Sequence, residues 1–464
     1  MKKLYIIGLL SAMLCSSCSN FLDKEPSGSL PVESAVTTMT DLRNAVNGIA
    51  YIALNGRMSY DADFAIYADL RGEDFKAVSN NNHAGPMSRY QITRNDDLAY
   101  YGYYYYYKAI ANINKVLTII DEIPHTDGET AEFNDYKGQL YAWRAMLHFD
   151  LARLYANIPT AAADVNATNS GIVLSTEVYD PSYIASRATL KETYDQILAD
   201  FATALPLLGK EENNGYINYW AALALRARVN MYNGDNAAAL ADAQTVITDS
   251  PYKLYTMDEY TKVWIQEFTS ESILELKVTT TNNAQRNSVG YYCDSDCYGE
   301  CAFVEDAPLY TYLTANPKDV RSKLINDQTD GVNPGYYPAK YPGREGNIYV
   351  NNPKIIRLSD VYLMAAEAAL KTGGDAASYI NTLRKNRIEG YTDVASVTLE
   401  DILFERRVEL FAENSMAFDY WRNKMSVKNP NVGEVNYDDY RVILPIPQDE
   451  INLAPDVLVQ NPGY

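Results

Sequence analysis

The sequence predicts a mainly α-helical protein. Its tetratricopeptide-like helical hairpins form an α-solenoid scaffold, and an irregular, loop-rich region with a few short strands carries the ligand surface. Three observations predict this. Apolar residues recur at three- and four-residue steps over long stretches. Two Ala-rich segments each hold two helical patterns meeting at a Gly-Asp turn. Residues 265 to 355 break that periodicity with Gly, Asn, Tyr and short β-like runs such as "ILELKV". With 464 residues, 47% of them hydrophobic and 22% charged, the chain can bury a sizeable core and is not a disordered polymer.

The elements follow in order. Lys2 and Lys3, the apolar run from Leu4 to Leu14 and the small residues before Cys18 read residues 1–17 as a signal peptide, too short for a membrane span. "LCSSCSN" has the layout of a lipobox with Cys18 as the lipidated first residue. Residues 18–31 read as an extended tether, because Pro26, Gly28 and Pro31 discourage a helix. No other run of about twenty apolar residues exists, so residues 32–464 are expected to stand in water as one domain. Its scaffold is 32–264 and 356–464, around a ligand region of about 265–355.

Leu42, Val46, Ile49 and Ile52 place a helix over residues 41 to 55. Next, seven tyrosines fall between Tyr100 and Tyr107, in a chain with 40 Tyr against 11 Phe and 4 Trp. On a helix whose buried stripe is Ile110, Ile113, Leu117 and Ile120, Tyr103 and Tyr106 lie inside. Tyr101 and Tyr104 take the opposite face, and Tyr100, Tyr105 and Tyr107 flank it. Asp96 or Asp97 is the N-cap candidate.

Leu140, Trp143, Leu147, Leu151 and Leu154 predict a helix over 132 to 155 that stops before Pro159. Helical pairs are predicted over 218–251, with a turn at Gly234-Asp235, and over 358–388, with a turn at Gly373-Gly374-Asp375. A last helix is predicted from 398 to 423, opened by Thr398 and Asp401 in a capping-box arrangement. Its Glu405, Arg406, Arg407, Glu409 and Glu413 read as ion pairs four apart along one helix.

A formal charge of -20 argues against nucleic acid, which needs clustered Lys and Arg. Catalysis lacks a candidate. There are three His, of which His148 reads as core, and no nucleophile elbow, phosphate loop or metal-binding His pair. The chain is read as a non-enzyme without cofactor. Cys293, Cys297 and Cys301, spaced C-x3-C-x3-C, read as one disulfide and one leftover thiol, with a metal site the alternative. Asp294, Asp296 and Glu300 form a second alternative, a Ca²⁺ loop.

These motifs stand in an order that resembles the SusD/RagB family of Bacteroidetes surface lipoproteins. The matching blocks are "CSNFLDKEPSGS", "AWRAMLHFDLARLYANIP", the hairpin around Gly234, "IIRLSDVYLMAAEAALKTGG", "INTLRKNR", "FERRVELFAENSMAFDYWR" and "LPIPQDEINLAPDVLVQNPGY". Trp143 and His148 depart from the family's usual Leu and aromatic. The resemblance implies four tetratricopeptide-like units and a lipid-anchored, surface-exposed place on the outer membrane. It implies a non-catalytic partner of a SusC-like TonB-dependent barrel that captures a nutrient and delivers it for import. That nutrient is a glycan, with an oligopeptide the alternative; a surface adhesin is the reading of a different class. Arg406, Glu409 and Trp421 then serve the scaffold. Carried over by position, the ligand face comprises Asp69, Arg71 and Asp74, then Tyr100, Tyr101 and Tyr104, then Tyr291, Tyr292 and Tyr298. All four Trp fall in predicted scaffold, so any aromatic platform is Tyr.

Overall fold

A computed structural model describes residues 35–54, 56–78, 83–180, 182–212 and 214–464. The expected signal peptide and the whole tether, Cys18 included, lie outside the described residues. The helices of seven residues or more are α1 (Met39–Leu54), α2 (Asp97–Ile119), α3 (Thr130–Tyr155), α4 (Leu190–Ala204), α5 (Tyr219–Asn233), α6 (Asn236–Asp249), α7 (Pro308–Ala315), α8 (Leu358–Thr372), α9 (Ala377–Lys385), α10 (Leu399–Glu409) and α11 (Met416–Arg422). Neighbours in sequence are largely neighbours in space. The packing runs α1 on α2, α2 on α3, α3 on α4, α4 on α5 and α5 on α6, and α6 then leads to α8, which carries α9 and α10.

Both predicted helix pairs form. Gly234 (φ +85°) closes α5 and Gly373 (φ +78°) closes α8, each in the left-handed conformation that frees the next backbone N–H groups to bond back to the last turn. Helix α3 runs through the middle of the scaffold. From Leu140 to Tyr155 nearly every side is buried, so its polar residues need partners: Arg144 pairs with Asp200, and Arg153 with Asp150. His148 is fully buried and accepts a hydrogen bond from Ser175 N at Nε2. Burial and nearby Arg144 push its pKa down to about 3, so the ring is neutral.

The sheets are small antiparallel pairs. Strand β1 (Phe75–Lys76) pairs with β3 (Ala302–Phe303), β2 (Ser272–Glu275) with β6 (Lys354–Arg357), β4 (Ile325–Gln328) with β5 (Gly335–Pro338), and β7 (Val427–Asn429) with β8 (Gly433–Val435). The β2–β6 pair ties the irregular region to the start of α8. No helix among the described residues is long and apolar enough to cross a membrane.

One predicted helix is corrected. The stretch 398 to 423 forms two helices, α10 and α11, because Ala412 (φ +56°) and Asn414 (φ +60°) are left-handed. The capping box at its start does form, with Thr398 accepting from Asp401 N and Asp401 from Thr398 N. The ion pairs expected along this helix are also corrected. Glu405 pairs with Arg321 and Arg384, Arg406 with Asp360 and Asp419, and Arg407 with Glu73 and Asp74. Glu409 receives Arg321, Arg357 and Arg387, and Glu413 takes Lys340 and Arg357. Glu405, Arg406, Arg407 and Glu409 are buried and Glu413 is half-buried, so they join α10 and the turn after it to other elements instead of pairing along one surface.

Candidate ligand-binding site

Four of the nine expected ligand residues are interior. Asp69 is 1% exposed and accepts from Asn414 N at 2.6 Å, while Ala68 N donates to Asn414 Oδ1 at 2.9 Å. Asp69 thus holds the turn between α10 and α11, and burial pushes its pKa up to about 8. Arg71 and Asp74 do not pair with each other. The Arg71 guanidinium lies 3.9 Å from the Tyr90 ring centre and bonds the Arg441 carbonyl, and Asp74 is held by Arg407. Tyr292 is buried, with its hydroxyl donating to Asp63 at 3.0 Å. A ligand arriving from solvent does not reach these four side chains.

Tyr100, Tyr101 and Tyr104 are at the surface. Tyr103 and Tyr106 are buried, as the helical projection requires, and Tyr104 is 39% exposed. Residues four apart on a helix sit one above the other, and the rings use this. Tyr100 stacks on Tyr104 at 5.5 Å and 12°, and Tyr101 on Tyr105 at 5.7 Å and 26°. Edge contacts join the two stacks at Tyr100–Tyr101 and Tyr104–Tyr105. The Tyr105 ring lies over Gly56, where an added Cβ would fall 2.3 Å from it. Asp96 is the N-cap of α2, although its carboxylate bonds Thr93 instead of the helix.

A second aromatic group forms around Tyr291 and Tyr298. The His83 ring stacks on Tyr298 at 3.9 Å and 17°, Tyr291 meets Tyr298 edge-on at 4.7 Å and 87°, and Tyr349 lies 5.5 Å from Tyr291. All four rings are partly exposed. Polar groups beneath fix them. The fully buried Glu300 carboxylate accepts from the consecutive N–H groups of His83 and Ala84, and Arg57 donates to the His83 carbonyl at 2.8 Å. Arg57 is itself held by Asp63 at 3.0 Å. Burial and the Arg57 charge lower the pKa of His83, which keeps a neutral, flat ring facing Tyr298. Burial raises Glu300 despite the two N–H donors, which act in the opposite direction. Since Gly56 meets Tyr105 and the adjacent Arg57 meets His83, the two aromatic groups flank one short loop.

The three cysteines are free thiols, and among the described residues no three His, Cys, Asp or Glu converge as a metal would need. The expected disulfide and both ion alternatives are thereby corrected. For Ca²⁺ the reason is direct: Glu300 points under His83, away from Asp296, whose Oδ1 accepts from Val332 N.

Sequence reasoning missed His83, Tyr349, Glu300 and Arg57. In the sequence Glu300 stands out only as a member of the alternative Ca²⁺ loop, because its neighbours are acidic, and nothing local marks its bond to a segment 217 positions earlier. Partly exposed flat rings on a pinned backbone can stack on a flat apolar ligand face without large rearrangement.

The residues from 20 to 231 match a family model described as SusD-like, starch-binding and associating with the outer membrane. The chain is 25% identical to SusD-like protein P2 of Formosa agariphila over the full length of both. Among solved structures it is similar to a SusD superfamily protein from Bacteroides thetaiotaomicron, with 31% identity, a TM-score of 0.85 and coverage of 92% of this chain and 100% of that one. A putative sugar-binding protein from Bacteroides vulgatus gives 30% identity, a TM-score of 0.85 and coverage of 93% and 99%. Likeness at that identity over nearly the whole of both chains shows that this chain belongs to the SusD family.

Proposed function

We propose that this protein captures a saccharide at the His83–Tyr291–Tyr298–Tyr349 group, extended by Tyr100, Tyr101 and Tyr104, and hands it to a partner transporter. The observation that carries the reading is the pinned His83–Tyr298 stack with Tyr291 edge-on beside it. SusD-family proteins are non-catalytic surface proteins of the outer membrane that work with SusC-type TonB-dependent transporters. The sugar-binding description of the relative from Bacteroides vulgatus supports a saccharide over an oligopeptide. Lipidation at Cys18 after removal of residues 1–17, a tether over 18–31 and a single domain over 32–464 complete the reading. The glycine-closed pairs α5–α6 and α8–α9 act as tetratricopeptide-like units that hold the site away from the membrane anchor.

The test is calorimetry and array binding with the soluble form that lacks the lipid. Tyr298→Ala and His83→Ala should each weaken saccharide binding at least about tenfold. Both should leave the melting temperature within about 2 °C, since the rings are partly exposed. Binding of peptides with no saccharide hit, or saccharide affinity unchanged in both variants, would overturn the assignment.

A further inference from the structure

A cavity of about 200 Å³ shares no residue with the two aromatic groups. Two segments supply most of its wall: the turn that precedes α5, with Glu212, Asn214 and Gly215, and the stretch from Phe268 into β2, with Ser270 and Glu275. Phe268 sits at φ +50°, a left-handed value that strains a residue with a side chain and persists only where the surroundings impose it. The surroundings do so here. The Phe268 N–H donates to Glu275 at 3.1 Å, and the half-buried ring lies over Gly215, where an added Cβ would come 3.8 Å from its Cζ. Strain kept at a partly exposed ring beside a cavity points to a functional position.

The polar lining divides into spent and unspent groups. Glu275 is buried and committed: it also accepts from Ser272 Oγ at 2.7 Å, Asn352 Nδ2 at 2.8 Å and Lys354 Nζ at 2.6 Å, and the last of these neutralises it. Glu212, Asn214 and Ser270 are exposed, and their side chains make no hydrogen bond or ion pair among the described residues. They offer a carboxylate, an amide and a hydroxyl, which between them accept from and donate to hydroxyl groups. No Lys or Arg stands among the described residues that line the cavity, so it has no pull on an acidic group. The volume lies below the roughly 300 to 1,000 Å³ of pockets that enclose drug-sized molecules, which leaves room for a single ring-sized unit. One flat ring beside groups that match hydroxyls suits the apolar face and polar rim of a sugar.

We infer that this cavity is a second saccharide site, taking one neutral sugar unit against Phe268, with Glu212, Asn214 and Ser270 on its hydroxyl groups. The inference rests on the reading of the protein as a saccharide binder, and it is tested where the first site has been disabled. Saturation-transfer NMR with glucose, galactose, mannose, xylose and N-acetylglucosamine detects weak binding of single sugars. The soluble form carrying Tyr298→Ala and His83→Ala should still bind at least one of the five. Adding Phe268→Gly should weaken that binding at least about tenfold, Asn214→Ala should weaken it in the same direction, and Phe268→Tyr should keep it.

Phe268→Gly on its own should leave the melting temperature within about 2 °C of wild type or raise it, because glycine takes the left-handed conformation without strain. A marked fall would assign the strained ring to the fold and overturn the inference. No sugar bound by the Tyr298→Ala/His83→Ala form, or binding that Phe268→Gly and Asn214→Ala both leave unchanged, overturns it too. Wild-type array binding that Tyr298→Ala weakens would in those cases leave the first site standing. Absence of saccharide binding by wild type overturns both.

Discussion

Asp69 shows how a residue's role is set by what surrounds it. Its sequence context, "YADLRGEDF", suggests a polar surface loop. In the fold it is a buried carboxyl whose pKa of about 8 lies above the ordinary carboxylate value of 3.8, so it is protonated at neutral pH. A raised folded-state pKa contributes stability that is complete below the unfolded value and is lost as pH rises through the folded one. Asp69→Asn keeps an acceptor for Asn414 N and removes this titration. The melting-temperature difference between the variant and wild type should therefore move in the variant's favour as pH rises from about 4 to about 8. A difference that stays flat over that window would show that Asp69 is ionised in the fold.

At the scale of elements, helical periodicity was a sound guide wherever one face is apolar. It placed the α5–α6 and α8–α9 pairs and sorted the tyrosines of α2 into buried and exposed faces. It failed between α10 and α11, where the apolar pattern continues through "ELFAENSMAF" but the chain turns. The turn is held from outside: Tyr341 OH donates to the Ala412 carbonyl at 2.6 Å, and Asn414 exchanges bonds with Ala68 and Asp69. None of these partners is near in sequence, so local pattern could not reveal them. Asn414→Ala loses the acceptor for Ala68 N and tolerates the left-handed conformation less well. It should cost about 1 to 3 kcal/mol by denaturant unfolding. Asn414→Gly keeps the conformation and loses only the acceptor, so it should cost less. Equal stability of Asn414→Ala and wild type would show that the turn does not need this residue.

Across the whole molecule, buried ion pairs link distant segments. Glu409 on α10 meets Arg321, Arg357 on β6 and Arg387, while Glu271 meets Arg357 and Arg387. Removing one partner leaves buried charge uncompensated, so Glu409→Ala should destabilise by roughly 3 to 5 kcal/mol or prevent folding. The same pairs set the acid limit. Nearby arginines outweigh burial and hold Glu367, Glu409 and Glu413 below the usual carboxylate range and Asp360 at about 2. Depressed pKa values contribute stability that is complete above the unfolded values and is lost as pH falls through the folded ones. The melting temperature should accordingly fall as pH drops from about 4.5 to about 2. A profile flat over that range would show that these pairs contribute no pH-dependent stability.

The sequence by itself determined the mainly α-helical class with a few short strands, most of the long helices, the core role of His148 and the four Trp, and which tyrosines of α2 face outward. These follow from spacing along one segment, and spacing is what a sequence records. It also carried the family, through ordered blocks along nearly the whole chain. The tertiary structure alone decided which polar residues face solvent. Asp69, Arg71 and Asp74 have the composition of a ligand loop, but partners more than 300 positions away bury them. His83, Arg57 and Glu300 look unrelated in sequence, yet they meet beneath one ring stack. Burial of a charge depends on whether a partner arrives from elsewhere in the fold, and that is a property of the packed chain.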